Sequence, residues 1–65
     1  MELKTGDLLE MKSNYGGGHG LFLLIKLDTA GDPVVQVLRP RPSSSDYVGE
    51  VAAFYADALR HVVGE

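Results

Sequence analysis

The chain contains no cysteine. Neither a disulfide nor a thiolate metal site can therefore hold it together, and the absence fits a reducing compartment. The longest apolar run is Leu21-Phe22-Leu23-Leu24-Ile25, closed by Lys26. It is far short of the roughly 20 residues that a membrane-spanning helix needs. The opening Met1-Glu2-Leu3-Lys4-Thr5-Gly6-Asp7 has no apolar stretch of the kind a secretory signal carries. A cytoplasmic location is the expectation, without a membrane partner. Basic residues are few, six against nine acidic ones, for a net charge of −3. Nucleic-acid binding depends on Lys and Arg neutralising phosphate, so this balance disfavours it. The two histidines, His19 and His61, form no HxH or HExxH spacing. No metal and no cofactor are expected on that ground.

What is present is ordinary globular composition, 45% hydrophobic and 23% charged over 65 residues. That is too apolar for disorder and enough for one domain, residues 1–65. A chain this short buries only about 60% of its unfolded surface. Its single core rarely supplies more than roughly 3–5 kcal/mol. Self-association or docking on a larger partner would be a natural source of further stability.

Turn residues divide the chain. Gly6-Asp7 opens a short strand in which Leu9 and Met11 share one face and Glu10 and Lys12 the other. Ser13 to Gly20 reads as a loop, because four glycines in five positions order only at high entropic cost. Leu21 to Asp28 is the strongest strand. Lys26 marks one of its faces as outward, and strict alternation places Phe22 and Leu24 on that face. After the turn Thr29-Ala30-Gly31-Asp32-Pro33, Val34 to Leu38 forms a third strand. There Val35 and Val37 face the core, and Val34 and Leu38 share the outward face of Gln36. Arg39 to Asp46, with two prolines and three serines, is a surface loop. The segment 47–65 supports two readings. As a helix, Val51, Phe54, Tyr55, Ala58, Leu59 and Val62 form one apolar stripe. As strands, Val51, Ala53 and Tyr55 alternate with Glu50, Ala52 and Phe54, followed by a tight turn at 57–59 and a closing strand, Arg60-His61-Val62-Val63.

Gly6-Asp7-Leu8-Leu9-Glu10-Met11-Lys12 resembles the "GDLV-x-hydrophobic-K" opening of SH3-like small β-barrels. Gly20 to Lys26 and Val35 to Leu38 resemble their second and third strands. Phe54-Tyr55-Ala56-Asp57-Ala58-Leu59-Arg60-His61-Val62 is similar to their "aromatic-x-x-D-L-x-x-V" ending. The likeness spans nearly the whole chain and extends to short proteins of bacteriophages. It implies an all-β, five-stranded SH3-like small barrel with a 3₁₀ turn before the last strand. The alternative is an α+β fold, a three-stranded antiparallel sheet plus a C-terminal helix. The ending is also similar to the plasmid-borne type II dihydrofolate reductases, whose Val-Gln-Ile-Tyr segment lines a pore. Here Ala52-Ala53-Phe54-Tyr55 stands in that place. Tyr55 matches, but Ala53 replaces the ligand-contacting Gln, so the activity does not carry over.

No catalytic constellation is legible. Gly16-Gly17-Gly18-His19-Gly20 lacks the further glycine of a dinucleotide fingerprint and the Gly-Lys-Ser/Thr of a P-loop. It is expected to join two strands, with Tyr15 and His19 as contact candidates. Arg39-Pro40-Arg41-Pro42, with Tyr47 nearby, is the one basic patch. It reads either as a solubilising loop whose prolines block edge pairing or as a phosphate or base contact. Phe22, Leu24, Val34 and Leu38 together would form an outward apolar patch, covered either by a partner or by the chain's own end. The expectation is a non-enzymatic, phage-type accessory module that binds a protein or itself. Nucleic-acid binding through Arg39 and Arg41 is the alternative, and an oligomeric pore enzyme a third.

Overall fold

The computed structural model describes residues 2–13, 19–42 and 44–62. Five strands lie in one antiparallel sheet: β1 (Leu8–Met11), β2 (His19–Leu27), β3 (Pro33–Arg39), β4 (Val51–Ala53) and β5 (Leu59–His61). Their order across the sheet is β4-β3-β2-β1-β5. A 3₁₀ turn, Ala56–Ala58, leads directly into β5. The C-terminal segment is therefore strand, turn and strand rather than helix. Ala58 and Leu59 both enter the core, and β5 pairs with β1. Tertiary pairing thus overrides the helical propensity of the alanines.

Two turns share one construction. In Lys4–Asp7 and in Tyr47–Glu50, a backbone hydrogen bond closes the turn from its fourth N–H to its first carbonyl, and a glycine in the left-handed region, Gly6 or Gly49, stands third. In both, the carboxylate of the fourth residue accepts the N–H of the first, Lys4 N to Asp7 Oδ2 at 2.8 Å and Tyr47 N to Glu50 Oε1 at 3.3 Å. The β2–β3 connection uses Asp28, whose Oδ1 accepts from Ala30 N and Asp32 N, each at 2.9 Å.

The core consists of Leu9, Met11, Phe22, Leu24, Val35, Val37, Ala58 and Leu59. Two cross-strand rows carry it. Leu9, Phe22 and Val37 lie opposite one another, as do Leu24, Val35 and Ala52. Phe54 packs on the cluster, its ring edge-on to Phe22 at 5.4 Å.

One expectation is overturned. Phe22 and Leu24 do not face outward; they are 0% and 1% exposed. The reason is a β-bulge. Leu24 pairs with Val35 but Lys26 pairs with Val34, so Ile25 is an extra residue on β2. A bulge shifts the alternation by one. Lys26 is outward, while Leu24, two residues earlier, points into the core. Period-two counting back from Lys26 crosses this break and assigns the wrong face. Leu27, opposite Pro33 at the end of β2, is exposed. Val34 is half-buried and Leu38 exposed, on the outward side as expected.

Candidate interaction site

The outer face of the sheet remains apolar, with different members. Leu8, Leu23, Gln36 and Val51 form a directly opposed row across β1, β2, β3 and β4. Gln36 sits at a crossing. Leu23 and Val51 flank it on the neighbouring strands, and Val34 and Leu38 lie two residues away on either side along β3. Lys26, outward and paired with Val34, borders this group. Val51 is 57% exposed, and nearby in sequence Tyr47 and Val48 are exposed as well. Gln36 Nε2 donates to Gly49 O at 3.4 Å, a long bond that leaves most of the carboxamide's hydrogen-bonding capacity unused. The sequence reading found two of these residues, Val34 and Leu38. Leu23 and Val51 were missed, the first because of the bulge and the second because the strand at 51–53 competed with a helix.

The basic loop is not free to act as one. Arg41 grips Asp46 with both ends of its guanidinium, Nε to Oδ2 at 2.8 Å and Nη2 to Oδ1 at 3.2 Å. It also stacks over Phe54, 5.4 Å from the ring centre. Ser44 tightens the same loop, donating to Arg41 O and accepting from Asp46 N. Arg41 is thus a loop clamp, while Arg39, at the end of β3 opposite Leu21, is exposed. His19 is the first residue of β2, exposed and at positive φ. Tyr47 stands exposed in its turn, directly after the clamped Asp46. Tyr15 lies outside the described residues. Arg39 opposite Leu21 and the Arg41 stem against Gly20 place the described loop candidates at one end of the β2–β3 pair.

Guanidinium hydrogen bonds from Arg41 hold the Asp46 carboxyl below the usual carboxylate range, with partial burial opposing and Ser44 assisting. A depressed acid stabilises the fold above its unfolded value, about 3.9, and loses that contribution as pH falls through the lower folded value. Urea unfolding midpoints should therefore fall as pH drops below about 4, and Asp46→Asn should flatten that limb. An unchanged acid limb in the variant would remove the clamp as a contributor. Asp7 is lowered too, first by its hydrogen bond to His61 and then by the Lys4 N–H. His61 Nε2 lies 2.9 Å from Asp7 Oδ2, joining β5 to the first turn.

A groove of about 460 Å³ is lined by Met11, Asp32, Arg41, Ala53, Phe54, Tyr55 and Ala58. Tyr55, 74% exposed, stands at its rim. Its charged members are Asp32 and the already paired Arg41. Among the described residues no cluster of three or more His, Cys, Asp or Glu is placed to hold a metal.

Compared with protein-family models, curated proteins and solved structures, the chain matches none of them.

Proposed function

We propose that this chain is a non-enzymatic binding module, an SH3-like small barrel that makes protein contacts through its outer face. Two observations support the barrel. First, the chain passes from β4 at one end of the strand order to β5 at the other through residues 54–58 alone. A flat five-stranded sheet is about 19 Å from edge to edge at ~4.8 Å per strand. The link, part extended and part 3₁₀, reaches about 16 Å at most. Curling the sheet brings its ends within that reach. Second, the inner face is almost completely buried although no second layer of structure is present among the described residues. A sheet can bury its own face by wrapping around it. Overall extents of 28 × 24 × 21 Å fit a wrapped sheet better than a single flat layer.

The observation that carries the binding reading is the uncharged group around Gln36, whose apolar members point away from the core. Exposed contiguous apolar surface in a small domain marks interaction sites more often than scattered single residues do. In affinity capture with the immobilised chain, Val51→Lys should release the proteins held by the wild type, and Tyr55→Ser should keep them. A Val51→Lys chain that holds the same set would defeat the reading.

A further inference from the structure

We propose, resting on the reading of the chain as a protein-binding module, that an extended segment of another protein, carrying a lysine or arginine, adds as a further strand to the free edge of β4. Val35 pairs with Ala52, Val37 N donates to Glu50 O, and Phe54 N donates to Pro33 O. Bonded and non-bonded residues alternate along an antiparallel pair. Val51 and Ala53 therefore turn their N–H and C=O groups away from β3. β4 ends the strand order, so no described strand takes up these groups. Both residues are exposed. The other end of the sheet differs. In β5, Leu59 is 0% exposed and its N–H already donates to Ala56 O. Free edges are commonly blunted by Lys, Pro or a bulge. β4 contains neither residue, and its register with β3 is unbroken. A strand added here lies beside Val51 and lengthens the outer row of Leu8, Leu23, Gln36 and Val51.

Main-chain bonds to a sheet edge give affinity, and side-chain pockets beside it give selectivity. The groove of about 460 Å³ supplies the pocket. It opens where β4 ends, with Ala53, Phe54 and Tyr55 in its wall and Met11 and Ala58 beside them. Carrying the register on from Val34 and Ala53 sets Asp32 opposite Tyr55. Two charged residues line the groove. Arg41 is spent on Asp46. Asp32 gives its backbone N–H and C=O to Asp28, and among the described residues its carboxylate forms no ion pair. Apolar walls with one unspent carboxylate suit a side chain that has an aliphatic stem and a cationic head. The net charge of −3 attracts the same kind of segment.

Blocked peptides of about eight residues, alternating valine and threonine with one lysine placed at each position in turn, are the probe. In amide NMR titrations of the full chain, at least one should bind with a dissociation constant below about 1 mM. It should shift the Val51 and Ala53 amides and slow their exchange, and leave the exchange of Ala52 and Phe54, already bonded to β3, unchanged. N-methylating the peptide residues that face β4 should abolish binding, and N-methylating those between should not. Replacing the lysine by glutamate should weaken binding at least ~10-fold, and Asp32→Asn should weaken the lysine peptide about 3- to 5-fold. Circular dichroism confirms that the variant is folded; if it is not, the glutamate peptide carries the charge test on the wild-type chain. Failure of every peptide to bind up to about 1 mM, unmoved Val51 and Ala53 amides, equal effects of the two methylation patterns, a glutamate peptide that binds as tightly, or a folded Asp32→Asn chain with unchanged affinity overturns the proposal. Failure of every peptide while Val51→Lys still releases the captured proteins overturns the added strand alone and leaves the module reading standing.

Discussion

Phe22→Ala is expected to leave the chain largely unfolded at room temperature. Phe22 is 0% exposed, lies between Leu9 and Val37 in the inner cross-strand row, and meets the Phe54 ring edge-on. Truncating a buried Phe typically costs about 3–5 kcal/mol, the lost transfer energy plus the cavity left behind. A core of this size supplies roughly that much in total. Far-UV circular dichroism and a urea titration measure the result. A cooperative transition with a midpoint close to wild type would show that Phe22 is not the centre of the core. Leu23→Ser, one residue on, is the informative companion. Leu23 belongs to the outer row, so this change should disturb contacts with other molecules far more than it disturbs folding.

Gly20→Ala should be the second most damaging small change. Gly20 has φ of 78°, and an added Cβ would lie 2.9 Å from Arg41 Cγ and 3.0 Å from Phe22 Cζ. Two costs combine. The left-handed conformation penalises any side chain by about 1–2 kcal/mol. Crowding a packed core by one methyl adds about 1–3 kcal/mol. Gly31→Ala separates them. Its φ is 86°, but nothing lies within 4 Å of the added Cβ. It should therefore show the conformational cost alone. Equal urea midpoints for the two variants would mean that the packing of Arg41 over Gly20 contributes nothing.

The close approach at Gly20 also explains the fate of the basic loop. Arg41's aliphatic stem passes over Gly20 and its head is taken by Asp46 and Phe54. Asp46 follows Arg41 by five residues, and the sequence holds both. What it does not hold is the fold of the intervening loop, which decides whether the guanidinium points to solvent or back to its own chain. The two-letter composition of a basic patch is visible in a string of residues; the spent or unspent state of its charge is a matter of geometry.

Local patterning was enough to place the first three strands, their turns, and Leu9, Met11, Val35 and Val37 in the core, because period-two burial is a property of each strand taken alone. The closing segment became strand, turn and strand through pairing with β1 and β3, where local propensity alone favours a helix. The face of Phe22 and Leu24 depended on one inserted residue, Ile25, which has no signature in the string and is defined only by its partner strand. The sequence by itself therefore determined a short, cysteine-free chain with three strands and an outward Val34, Gln36 and Leu38 on the third. Only the tertiary structure decided which residues complete that outward surface, because a bulge exchanges the two faces of a strand without changing a single amino acid.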